Sequence, residues 1–200
     1  MPTLFSVGKA LQTFHNLEST HEIKPINFNE MENYFHVRIE KILKNNNLFA
    51  KGLGERIIHY LRNNQSELDA RDLKQTISHC DFSPGNILVS QSGIAILDFA
   101  RVNQWSPFLD LTHLYHHIYN FSYKPIFDKK TVQNITDSFL AGYGDINLKN
   151  HVLFKLFLIQ NKLCQLVYLS RKSEHSLKSR LYNHYVMTKS VEMLEKMVPG

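Results

Sequence analysis

The chain has 200 residues, 43% of them hydrophobic and 12% aromatic, with a formal charge of +5. That is enough apolar material for a well-buried core, and it excludes a disordered chain. Only Cys80 and Cys164 are present, which excludes a disulfide framework and any Cys-x-x-Cys metal or redox pair.

In chain order, Leu4, Val7, Leu11, Phe14 and Leu17 recur at helical spacing and predict an amphipathic helix over residues 3–17. After Pro25, the apolar set Met31, Tyr34, Phe35, Val37, Ile39, Ile42 and Leu43 predicts a second helix, which the asparagines 45–47 break. A third is expected over residues 55–62, on Ile57, Ile58 and Leu61, and it should end at the polar cluster 63–66. The character changes at residue 76. Two apolar runs, Ile87-Leu88-Val89 and Ile94-Ala95-Ile96-Leu97, flank Gln91-Ser92-Gly93 and read as a β-hairpin. Beyond Pro107 helices are expected over residues 107–121, 129–141, 148–171 and 177–197. The only two Gly-x-Gly pairs, at 52–54 and 142–144, lack a third glycine and read as turns or helix ends.

The N-terminus shows no signal-peptide pattern, and the thiols are expected to be reduced, in a cytoplasmic setting. The most apolar stretch, 152–169, contains Lys155, Gln160, Asn161, Lys162 and Gln165. A membrane span of roughly 20 mostly apolar residues is therefore not expected there. The surplus of Lys and Arg falls mainly in the last third, favouring anionic ligands only in a general way; no nucleic-acid partner is expected.

The chemistry gathers around the hairpin. Asp81 and Asn86 bracket the loop that enters the first strand, and Asp98 follows the second. A tight hairpin brings its outer ends together, so Asn86 and Asp98 should lie side by side with Asp81 close by. Three oxygen-bearing side chains at one point suit Mg²⁺, which takes one or two protein carboxylates and leaves other positions to phosphates and water. Phosphoryl transfer asks for such a site together with a base for the acceptor hydroxyl. The neighbouring Cys80 reads as a small filler, since no activating base is indicated. His113, His116 and His117 share a predicted helix and read as ordinary packing and surface residues rather than a metal site.

His79-Cys80-Asp81-Phe82-Ser83-Pro84-Gly85-Asn86, a strand pair, then Leu97-Asp98-Phe99 is the kinase pattern of catalytic loop and metal-binding Asp. Its wording resembles the aminoglycoside phosphotransferase and choline kinase-like family. The resemblance implies that Asp81 is the catalytic base, that Asn86 and Asp98 bind Mg²⁺ on ATP, and that His79 braces the loop. Trp105 to Leu111 resembles the segment in which an Asp, here Asp110, opens the next helix and buttresses the loop. Residues 4–17 look like that family's first large-lobe helix. The implied fold is α+β and mainly α: a protein kinase-like large (C-terminal) lobe with a small central hairpin. Residues 1–75 would supply the leading helices, 76–100 the catalytic loop and metal-binding hairpin, and 101–200 a helical substrate-side region.

No long activation segment and no Ala-Pro-Glu follows Asp98, so a small-molecule hydroxyl acceptor is expected rather than a protein. Basic residues beyond Lys149 favour a neutral or anionic acceptor over a polycation. No β-rich segment with a candidate Lys precedes residue 76. The small N-terminal lobe is therefore expected to be absent, and a partner polypeptide is one way to supply it. The competing expectation is an inactive lobe that serves as a binding or assembly module.

Overall fold

The computed structural model of the chain describes residues 4–17, 26–68, 75–171 and 176–198. Thr3 and Pro25, at two predicted helix edges, lie outside the described residues. The elements divide into two compact units, one drawn from Met1–Ile26 and Ala70–Leu158, the other from Asn27–Asp69 and Ile159–Gly200.

The first unit opens with α1 (Leu4–His15), whose Val7, Gly8, Leu11 and His15 are buried. This stripe packs on α5 (Lys129–Tyr143) through glycine. A Cβ on Gly8 would collide with the carbonyl oxygen of Phe139 and stand 2.7 Å from Tyr143 N. One on Gly142 would collide with the carbonyl of Phe5. The two backbones thus touch with no room for a methyl group. Gly8→Ala, a change that stabilises an unconstrained helix by about 0.5–1 kcal/mol, should here destabilise by roughly 1–3 kcal/mol. A lowered urea midpoint at unchanged slope is the expected readout. The predicted turn at 142–144 resolves into two roles: Gly142 is the contact with α1, and Gly144, at φ 143°, ends α5.

Two small antiparallel pairs follow in sequence. In the predicted hairpin, β2 (Ile87–Ser90) pairs with β3 (Gly93–Ile96), Ile87 opposite Ile96 and Ser90 opposite Gly93. Gly93, at φ 143°, makes the turn possible. A second pair escaped the sequence reading: β1 (Thr76–Ser78) lies against β4 (Asn103–Trp105), Thr76 opposite Trp105. It closes the catalytic segment into one loop, so that residues 79–102 leave and return at the same place. Next, α4 (Pro107–Tyr119) starts with Pro at its first position and Ser106 as cap, whose Oγ accepts from Phe108 N at 3.3 Å.

The second unit contains α2 (Phe28–Asn45), α3 (Lys51–Gln65), α7 (Leu177–Met197) and most of α6 (Val152–Arg171). Asn27 caps α2 by accepting from the backbone N–H of Asn29 and Glu30. α3 begins four residues earlier than predicted, so the Gly52–Gly54 pair lies in its first turn and not between helices. Gly54 serves packing: a Cβ there would come 2.7 Å from Ile39 Cγ2. α6 is long and apolar enough to cross a membrane by length and composition alone, a test that the core helix of a folded domain also passes, and half of its apolar window is buried.

Lys162 of α6 is wholly buried, with Nζ 3.3 Å from Gln165 Oε1, which also accepts from Ser190 Oγ on α7 at 3.1 Å. Burial pushes the Lys162 ammonium down to about 7. Between that value and the ordinary 10.5 the unfolded chain holds a proton that the folded chain has released. Stability should therefore rise with pH across this window and flatten below it. Urea midpoints at two pH values inside the window test this: Lys162→Met should remove the slope and raise stability at the lower pH.

Candidate active site

Asp110 organises the loop. It lies in the first turn of α4, is fully buried, and accepts His79 N at 2.6 Å and Cys80 N at 2.8 Å. His15, at the buried end of α1, donates from Nε2 to the same carboxylate at 3.0 Å. Its other ring nitrogen meets the Tyr143 hydroxyl at 2.8 Å. Burial, and after it the Asp110 charge, push the Tyr143 phenol above its usual range, so it remains a donor. α1, α4, α5 and the loop are thereby joined by one buried polar chain. His15 and Tyr143 were not read from the sequence. The only signal was a histidine one turn beyond Leu11, on the apolar stripe of α1.

The loop itself is bent to a purpose. Cys80 adopts φ 63°, a left-handed conformation that costs a non-glycine residue about 1–3 kcal/mol and persists where surroundings enforce it. The paired N–H groups on Asp110 supply that enforcement. Burial, then Asp110, pushes the Cys80 thiol up to about 11, the opposite of what a nucleophile needs. Phe82, fully buried, anchors the loop on the far side of Asp81.

His79 is also fully buried, and its Nε2–H donates to the Leu97 carbonyl at 2.8 Å. Its ring is surrounded by Phe14, Phe82 and Phe99, with centroids 6.4, 6.0 and 5.3 Å away. It therefore ties the loop to the residue before Asp98. Asn86 does the same from the other side: its carbonyl accepts Leu97 N at 2.9 Å, and its Nδ2 donates to the Asp81 carbonyl at 2.9 Å. That commits the amide nitrogen to the protein and leaves Oδ1 as the atom a ligand would meet. Asp98 is exposed, sits at φ 60° and accepts Ala100 N at 3.4 Å.

Asp81 is partly exposed, and Arg101 Nη1 lies 3.9 Å from its Oδ2. Arg101, in the short turn after Asp98, is a further residue that sequence reading missed. Two turns of α4 also face the Asp81 charge. His113 and His117 stack at 5.0 Å; burial lowers both below the usual histidine range, and the Asp81 carboxylate partly offsets this. No cluster of three or more His, Cys, Asp or Glu that could hold a metal occurs among the described residues. Mg²⁺ does not require one, and the oxygen set Asp98 and Asn86, with Asp81 beside it, suits that hard cation. Behind the hairpin, an apolar cavity of about 630 Å³ is lined in part by Pro84, Ile87 and Val89, and not by Asp81, Asn86 or Asp98.

A profile of the family described as "Phosphotransferase enzyme family" matches residues 3–146. The chain belongs to this family. No curated protein matches it in sequence. Among solved structures, a glucosamine kinase in complex with glucosamine, ADP and inorganic phosphate is similar over 98% of this chain and 51% of its own, at TM-score 0.66 and 15% identity. An aminoglycoside phosphotransferase from Streptomyces rimosus is similar over 80% of this chain and 61% of its own, at TM-score 0.54 and 16% identity. A choline kinase from Cryptosporidium parvum is similar over 98% and 67%, at TM-score 0.52 and 14% identity. At these identities the likeness establishes the fold: mainly helical α+β, of the kinase-like type expected from the loop and hairpin. The chain spans about half the length of glucosamine kinase.

Proposed function

We propose that this family member transfers the γ-phosphate of ATP to a hydroxyl of a small molecule, in a Mg²⁺-dependent reaction. The observation that carries the reading is the arrangement of one loop and one hairpin: Asp81 half-open at the surface, with Asn86 and Asp98 joined through the Leu97 backbone. In this reading Asp81 accepts the proton of the acceptor hydroxyl, and Asn86 and Asp98 would hold Mg²⁺ on the phosphates. That ion, when bound, neutralises charge on the transferring group. Arg101 Nη1, 3.9 Å from Oδ2, faces the Asp81 carboxylate. Buried His79 touches no ligand and acts by position, as does Asp110. The Lys and Arg surplus, with Arg101 beside Asp81, favours a neutral or anionic acceptor such as a sugar or alcohol.

The whole chain is read as a kinase-like large lobe acting in a cytoplasmic setting. A phosphate-covering loop and its Lys would come from polypeptide beyond these 200 residues or from a partner. Exposed Leu88 and Phe99, at 56% and 49%, offer apolar surface beside Asp98 for a nucleotide or such a segment to cover.

Calorimetric titration of ATP with and without Mg²⁺ tests the reading. Binding should require Mg²⁺ and be lost in Asp98→Asn. Mg²⁺-independent binding, or binding that survives the substitution, would sink the metal assignment. No binding even in the presence of the complementary segment would favour the binding-module alternative.

A further inference from the structure

α2 and α6 of the second unit frame a cavity of about 460 Å³ lined by Arg38, Lys41, Cys164, Val167, Tyr168 and Arg171. Three of the six carry positive charge and none a carboxylate. Arg38 and Lys41 are three residues apart on α2 and so share a face. Cys164, Val167, Tyr168 and Arg171 follow helical spacing along one stripe of α6.

Arg38 is half-buried and held in place before any ligand arrives. Its Nε donates to Cys164 Sγ at 3.3 Å and Nη1 to the Tyr34 carbonyl at 3.3 Å. Its guanidinium lies 2.9 Å from the centre of the Tyr34 ring. Several cations elsewhere in the chain are paired with carboxylates: Lys149 with Asp137 at 2.8 Å, Arg62 with Glu32 at 2.6 Å and Lys189 with Glu192 at 2.7 Å. Among the described residues no carboxylate lies within ion-pair distance of Arg38, Lys41 or Arg171. Arg171, in the last turn of α6, also complements the helix dipole. Arg38 and Lys41 precede the last turn of α2 and have no such role.

Like charges gathered around one concavity repel each other, and a bound anion relieves that repulsion. A fixed guanidinium whose Nη2 is not taken up by these bonds can donate a charge-assisted hydrogen bond to a phosphate oxygen. We propose that this cavity binds a small phosphorylated compound, with Arg38 presenting Nη2, Lys41 and Arg171 closing on the charge, and the Tyr168 hydroxyl completing the contacts. Its concave shape between two helices suits a soluble ligand rather than a flat anionic membrane surface. The site uses no residue of the Asp81 centre and stands whether or not that centre is catalytic.

Pyrophosphate is the probe, titrated calorimetrically at low ionic strength in metal-free, chelator-containing buffer. Saturable one-to-one binding is expected. Each of Lys41→Gln and Arg171→Gln should weaken it roughly 10-fold, and the pair roughly 100-fold, the loss expected for one charged hydrogen bond per substitution. Both side chains lie outside the core, and circular dichroism of the variants checks that the fold is kept. Backbone amide shifts on the unsubstituted chain give an independent map, with changes expected at 38–41 and 164–171. Absence of saturable binding, equal affinity in the double variant, or shifts confined to 79–101 would each overturn the proposal.

Discussion

Replacing Asp81 by Asn should lower the rate of phosphotransfer by roughly 10²–10⁴, the range typical of a lost general base. The side chain keeps its shape and loses only its ability to take the acceptor proton. Its one charged neighbour is Arg101, 71% exposed and 3.9 Å away, and such a surface pair contributes little to stability. The urea midpoint should therefore stay within about 0.5 kcal/mol of the parent. Asn86 and Asp98 remain in place, so the apparent affinity for Mg²⁺ and ATP should change little. The loss should appear in kcat, not in the nucleotide KM. Steady-state kinetics on the whole natural protein provide the measurement. Activity within about threefold of the parent would place the base elsewhere, and a collapse of nucleotide KM would make Asp81 a metal ligand instead.

Asp110→Ala is the substitution expected to cost the fold most. It strips the acceptor from two backbone N–H groups and from His15, all in a buried setting. Each unpaired donor of this kind costs about 1–3 kcal/mol, so a total near 3–5 kcal/mol is expected. Against a typical stability of about 5–15 kcal/mol, that is a large fraction. Equilibrium unfolding in urea measures it directly. The same change releases Cys80 from its left-handed conformation, and Asp81 is the next residue. Phosphotransfer should fall as well, even under conditions where the variant is still folded. A loss below about 1 kcal/mol would show that water or a neighbouring side chain replaces the carboxylate. Asp110→Asn, which keeps one acceptor oxygen, should fall between the two.

Much of the site was legible because its rules are local. The strand-like runs 87–89 and 94–97 around a glycine turn fix a hairpin register, and that register decides that Asn86 faces Leu97. Ser106-Pro107 announces the start of α4, and Asp110 then falls in its first turn. The β1–β4 pair was not legible: each strand is three residues long, and Thr76-Ile77-Ser78 and Asn103-Gln104-Trp105 carry no alternation strong enough to mark them. The same limit applies to Gly142. Its sequence surroundings are those of a helix end, and only the approach of Phe5 shows why a side chain is forbidden there.

The order of chemical groups around residues 79–99 was determined by the sequence alone, since loop length, strand alternation and hairpin pairing act over a few residues. Partner identity was decided by the tertiary structure. Asp110 and His15 lie 95 residues apart, and Arg38 and Cys164 lie 126 apart. No local pattern encodes such meetings. They arise because apolar helix faces choose how the elements pack, and buried polar groups must then satisfy one another with whatever that packing brings within reach.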